Sequence, residues 1–345
     1  MKRAGRGGLR TSLQLMVLLS MPLSSVFADG LTSADSVRVS GTLFADHDIS
    51  AIEQVAGSLF VAADEGRDLQ RLSGNPATGY RLQATYGLKN GKPVKKPSKG
   101  DEYDIEAMAF DGERYLYLVG SHSAKRRLLD AQAKGSRGEG LKQLEPIRSE
   151  KARRIMLRLS LDEEGNPQGK PETISLWKSI NRSSLLKPFT KLPSKENGID
   201  IEGLAYADGL LYVGFRGPVL RDNWVPVLVG DFDSFEKRHE LKFIRLDGLG
   251  IRSMLALGRQ GFLILAGPVG DGPGGFHLYL WNGRDQLPGQ DGERGKVRHL
   301  GEIPVERGYK GEAMTLISQQ GNRIELLIAF DGGKNGALRH FKLVL

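Results

Sequence analysis

Asp200-Ile201-Glu202-Gly203-Leu204-Ala205-Tyr206 has a counterpart in Asp104-Ile105-Glu106-Ala107-Met108-Ala109-Phe110. Shorter echoes of its opening occur at Asp48-Ile49-Ser50, Gly250-Ile251-Arg252 and Lys310-Gly311-Glu312. Each copy opens a small-apolar run, which is followed by a turn and a second apolar run. Aligned on the third residue, at positions 50, 106, 202, 252 and 312, the copies are spaced by 56, 96, 50 and 60 residues. Propeller blades repeat at roughly 40–50 residues, so three intervals each fit one modestly enlarged blade. The 96-residue interval holds either insertions or a hidden sixth blade between 122 and 200.

Counting strands favours insertions. Four β-runs follow each of the first four copies: 49–55, 58–63, 69–72 and 80–86; 105–110, 115–119, 154–161 and 172–177; 201–206, 210–215, 225–230 and 240–246; 251–257, 262–266, 277–281 and 296–302. The fifth copy has three, 312–317, 323–330 and 338–345, before the chain ends. Residues 37–44 then supply the missing strand. The expected fold is an all-β propeller of five four-stranded blades, its last blade closed by the N-terminal strand so that the ring leaves no open edge there. Turn signals fall between the runs, as at Asp111-Gly112, Asp208-Gly209 and Gly321-Asn322. Three stretches are not strand-like. Residues 89–101 read as an extended lysine- and proline-bearing loop, 123–151 as charged and helical around 124–134, and 178–198 as helical around 180–186.

The first residues have the form of an export signal, with Lys2, Arg3, Arg6 and Arg10 before an apolar stretch over 13–23. Val26 and Ala28 place cleavage before Asp29, leaving 29–345 as one domain in the periplasm or outside the cell. No other stretch approaches a membrane span. The chain has 49 Lys+Arg against 41 Asp+Glu. The signal holds four of those basic residues and no acid, so the excess falls from +8 to +4. That balance, with no aromatic stacking pattern beside the charges, argues against nucleic acid as a partner. There is no cysteine, which excludes disulfides, thiolate catalysis and cysteine metal sites.

In a propeller the inner strand of each blade lines the central channel. Asp48, Asp104 and Asp200, with Glu106, Glu202 and Glu312, are therefore expected to converge at one mouth. Arg252 and Ser50 take the equivalent places in their blades. The loops after the second strands bring Asp64, Glu65, His122, Arg216, Asp271 and Asp331 to the same face. Two charges about 4 Å apart repel by roughly 4 kcal/mol at an effective dielectric near 20. A basic partner, a raised pKa or a bound cation relieves this. Arg252 satisfies one neighbour, and hard oxygen ligands match Ca²⁺ or Mg²⁺. Asp104, Glu106, Asp200, Glu202 and Glu312 are thus the candidate metal ligands. Glu106, Glu202, Arg216, Arg252, Glu312 and Arg126 are the candidate ligand-binding set, and His122 is the candidate general base. The three insertions add a basic rim that includes Lys92, Lys125, Arg148 and Lys195. An acidic floor below a basic rim fits a small anionic ligand held with a divalent cation. Three functions stay open: a monomeric binding module for such a ligand or for a periplasmic protein, a metal-assisted phosphoester hydrolase, and a propeller whose broad face docks another protein. Gly270-x-Gly272-x-Gly274-Gly275 opens no helix and is a loop rather than a dinucleotide fingerprint.

Residues 104–123, 194–220, 250–281 and 310–317 resemble a family catalogued as domain of unknown function 3616, found in exported bacterial proteins. The most specific segments are Phe215-Arg216-Gly217-Pro218 and Gly250-Ile251-Arg252. That resemblance implies a fold and an exported location but no activity. More loosely, Asp200-Ile201-Glu202-Gly203-Leu204-Ala205 looks like the corresponding phrase of esterase-like phytase propellers, which implies the hydrolase alternative.

Overall fold

The computed structural model describes residues 31–129, 135–272, 274–289 and 294–345. The expected export signal, and residues 130–134 of the expected helix, lie outside these. Among the described residues no helix is long and apolar enough to cross a membrane.

Five four-stranded antiparallel blades account for the repeats. The inner strands are Ile49–Val55, Ile105–Phe110, Asp200–Ala207, Gly250–Ala256 and Lys310–Gln320. Each packs against the next, and the fifth packs against the first, so the ring is closed. Among the described residues the long interval hides no sixth blade. It holds the second blade's last two strands, Met156–Leu161 and Pro167–Ile174, with the two insertions around them. The fourth strand therefore lies earlier than 172–177. It begins after a turn in which Asp162 accepts from the Asn166 N–H at 2.6 Å. Trp177, expected at that strand's end, instead starts a short helix, Trp177–Arg182.

Closure also differs in detail. Leu31–Ser36 pairs antiparallel with Arg339–Val344 and completes the fifth blade. Of the expected strand 37–44, Val37 still donates its N–H to the Leu338 carbonyl at 2.8 Å, but the chain then crosses to the first blade, where Val39–Ser40 lies parallel to Tyr80 and Arg81. Of the insertions, 89–101 contributes a two-residue strand, Lys92–Pro93, at the edge of the first blade. The stretch 123–151 is a ribbon of Ala124–Arg126 and Ile147–Ser149 enclosing a helix at Arg137–Leu144, later than expected.

The core lies between blades rather than within them. Val119, Ile201 and Phe215 pack between the second and third blades; Val227, Ile251 and Trp281 between the third and fourth; Leu265, Leu278 and Phe330 between the fourth and fifth. Fully burying each such side chain contributes about 1.5–3 kcal/mol. Near the axis there is room only for small residues. A Cβ on Gly203 would stand 2.6 Å from Ile251 Cγ2 of the next blade, which explains why Ala51, Ala107, Gly203, Ser253 and Ala313 follow the five repeated triplets.

Candidate functional site

The recurring triplet is a β-bulge. In each inner strand the pairing register skips the triplet's third residue. The skip falls between Ile49 and Ala51, Ile105 and Ala107, Ile201 and Gly203, Ile251 and Ser253, and Gly311 and Ala313. A bulge re-aims the residue it leaves unpaired. Here it sends Ser50, Glu106, Glu202, Arg252 and Glu312 into one axial cavity of about 310 Å³. Strand alternation would otherwise have faced these side chains toward a neighbouring blade.

Asp48, Asp104 and Asp200, at the starts of the triplets, line the same cavity, as do Asp64, Glu65, Arg216 and Asp331 from loops or second strands. Ten carboxylates and six cations surround it, a formal excess of four negative charges. Part of that excess is held in an ionic ladder that crosses three blades. Arg216 contacts Asp200 and lies 2.7 Å from Glu202 Oε1. Arg252 Nη1 lies 2.6 Å from Glu202 Oε2 and 2.9 Å from Glu312 Oε2. On the second blade Arg153 stands 2.7 Å from Asp104, 3.0 Å from Glu102 and 2.6 Å from Glu150. Ser121 donates to Asp104 as well. Ser50 takes no part in the ladder and donates to the Ile105 carbonyl, tying the first blade to the second.

Glu106 stands apart. Among the described residues no cation forms an ion pair with its carboxylate and none donates a hydrogen bond to it, although Arg216 acts on it at longer range, and it is shared by two groups of acids. Oxygens of Asp64, Asp104 and Glu106 lie within 4.8 Å of one another, and so do those of Glu106, Asp200 and Glu202. Two oxygens on one Ca²⁺, each at about 2.3–2.6 Å, are separated by no more than about 5 Å. Burial, reinforced by Asp104 and Glu202, pushes the Glu106 carboxyl well above its ordinary range. Burial with Asp104 and Asp48 nearby pushes Asp64 up to about 8. Burial outweighs the arginines at Asp200 and Glu312 and raises each to about 7. Around neutral pH the cavity thus holds protons where a cation would let it ionise.

Two expected site residues do not reach this cavity. His122 is buried at 0% exposure and does not line the cavity. Its Nδ1 donates to the Gly120 carbonyl at 2.8 Å and its Nε2 accepts the Leu176 N–H at 3.1 Å, so both nitrogens are occupied. Arg126 binds Glu196 bidentately, with Nη2–Oε2 at 3.1 Å, and joins the two larger insertions. Of the basic rim, Lys125 and Lys195 line the cavity, and Lys310 of the fifth triplet joins them; each lies beside an acid: Glu150 at 3.3 Å, Asp271 at 2.5 Å and Asp331 at 3.2 Å. Arg153 was not singled out by sequence. It ends a short turn after an insertion, and no repeat marks it.

These features define a five-bladed propeller with an acidic, bulge-built axial mouth. Over residues 48–344 the chain matches a family described as protein of unknown function (DUF3616), and it belongs to that family. Similar solved structures include the glutaminyl cyclase of Myxococcus xanthus, 12% identical with a TM-score of 0.44, covering 91% of this chain and 96% of that one. A streptogramin B lyase is 9% identical with a TM-score of 0.37, covering 90% and 97%. The computationally designed Ika4 protein is 10% identical with a TM-score of 0.26, covering 76% and 97%. No curated protein matches the sequence.

Proposed function

We propose that this chain is an exported propeller that binds a small anionic ligand through a divalent cation seated at its channel mouth. The observation that carries the reading is Glu106, a carboxylate in ion-pair contact with no cation among the described residues, which belongs to two triads of acids. A hard cation such as Ca²⁺ or Mg²⁺ answers that arrangement, because it neutralises several oxygens at once. The remaining coordination positions of such an ion would face the mouth. An anion there would meet Lys125, Lys195 and Lys310, which come from three different blades. Isothermal titration of chelator-treated protein with CaCl₂ or MgCl₂, then with inorganic phosphate, tests this. Saturable cation binding is expected, with phosphate binding only after it. Equal cation binding by the Glu106→Gln variant would remove the reading.

A second reading, metal-assisted hydrolysis of a phosphoester, is favoured by Asp64. Its Oδ1 is buried without a hydrogen-bond partner, and its carboxyl is pushed up to about 8. With the cation held by the other triad, Glu106, Asp200 and Glu202, a carboxyl still protonated at neutral pH beside it has the character of a general acid. There the cation would activate water toward phosphorus and Asp64 would protonate the leaving oxygen. Release of inorganic phosphate from glycerol phosphate, whose alkoxide needs a proton to leave, in the presence of Ca²⁺ or Mg²⁺ and reduced by Asp64→Asn, supports it. Inactivity of protein that demonstrably binds the cation removes it and leaves the binding reading intact.

A further inference from the structure

The two larger insertions flank the axial cavity, since Ser123 and Lys125 of one and Ser194 and Lys195 of the other line it. They form a joined rim. Arg126 in the ribbon binds Glu196 in the second insertion and also donates to the Leu144 carbonyl at the end of the helix. That helix, Arg137–Leu144, is closed by a capping box of Ser136 and Glu139 but buries none of its residues. An eight-residue helix with no packed face has little to hold it in water.

What the rim exposes is unlike the rest of the molecule. Among the described residues eight large hydrophobic side chains are exposed, and six lie here: Leu128, Leu141, Leu144, Ile147, Leu185 and Leu192. Leu128 is 86% exposed. The described residues of the same segments, 123–129, 135–151 and 178–198, carry twelve Lys and Arg against four Asp and Glu, an excess of eight positive charges. The rest of 29–345 then has an excess of four negative charges. Charge is thus segregated, with a positive rim on a negative body.

We infer that this rim docks the propeller, mouth down, on an anionic phospholipid surface. Basic residues interleaved with exposed aliphatic ones match such a surface. The aliphatic groups enter the headgroup–acyl boundary while Lys and Arg meet lipid phosphates. A protein interface would favour aromatic anchors at its centre. The exposed large hydrophobics of the rim are all leucine and isoleucine.

The test is flotation of residues 29–345, which contain the whole closed ring, with two kinds of vesicle. One is phosphatidylcholine alone and the other contains phosphatidylglycerol. Binding to the anionic vesicles only, released by high salt, is expected. Replacing three exposed cations together (Arg127→Gln, Arg148→Gln, Lys151→Gln) should weaken it by about a hundredfold. Leu128→Ser with Leu141→Ser and Ile147→Ser should weaken it at least about tenfold. All six side chains are exposed, so an unchanged melting temperature will show that the variants fold. Equal binding to both vesicle types, binding to neither, or undiminished binding by both variants overturns the inference. None of these outcomes bears on the axial cation site, which is read separately by titration without lipid.

Discussion

Arg252 Nη1 lies 2.6 Å from Glu202 Oε2 across the boundary between the third and fourth blades. Both residues are only 3% exposed, and both are the bulged residues of their inner strands. The same position therefore carries an acid in one blade and its counter-ion in the next. Removing one member of such a buried pair leaves the other charge desolvated and unpaired, which costs about 3–5 kcal/mol. Arg252→Ala should lower the unfolding free energy by that amount in urea titration. Lys195→Ala breaks a pair whose partners are 47% and 54% exposed, and it should cost no more than about 1 kcal/mol. Similar losses for the two variants would show that the ladder is solvated.

The pH dependence of the metal-free protein follows from the raised carboxyls. Asp64 is pushed to about 8 and Asp200 and Glu312 to about 7, whereas in the unfolded chain such groups ionise near about 4. Between those limits the folded state holds protons that the unfolded state has released. The stability these three groups contribute is therefore full below about pH 4 and is lost as pH rises through about 7 to 8. In chelator, the melting temperature should fall across that window. Saturating Ca²⁺ should flatten the fall, because a bound cation replaces the protons. A melting temperature that rises from acid to neutral pH in chelator would contradict the assignment.

His122 has a structural task that its position near the mouth disguises. Its Nε2 accepts from the Leu176 N–H, so that nitrogen is unprotonated and the ring is neutral. Burial pushes the imidazolium down to about 4. His122→Ala should cost about 2–4 kcal/mol, from a buried N–H and a buried carbonyl left without partners and from the space vacated. Cation binding at the axial cavity should be unchanged. A stable variant that no longer binds the cation would return His122 to the site.

How much could be read beforehand depended on whether a feature repeats. The triplets recur because each blade needs the same bulge, and the bulge needs a polar residue for the channel followed by a small one for the crowded axis. That periodic requirement made the five blades legible and brought Glu106, Glu202, Arg252 and Glu312 together. Arg153 was invisible because its contacts with Glu102 and Asp104 span some fifty residues and obey no period. Arg126 was placed on the ligand side because charge alone does not reveal a partner such as Glu196, seventy residues away. The start of the second blade's fourth strand was missed because Pro167-Gln168-Gly169-Lys170 carries little apolar alternation.

The closing strand was misplaced for a related reason, and it yields the last prediction. Leu31–Ser36 reads Leu-Thr-Ser-Ala-Asp-Ser, with none of the alternation that marks a half-buried strand. Beyond Leu31, which packs against the core of the last two blades, what holds it is backbone pairing with Arg339–Val344, which a sequence pattern does not display. Deleting residues 29–36 should leave four blades formed but expose the N–H and C=O groups along Arg339–Val344. An unpaired edge of that kind is a template for other chains. The truncated protein should melt at lower temperature and form concentration-dependent oligomers in light scattering, whereas a variant with alanines throughout 32–36 should stay monomeric because its backbone pairing survives. Monomeric behaviour of the truncation would mean that the ring is closed by side-chain packing between the first and fifth blades alone.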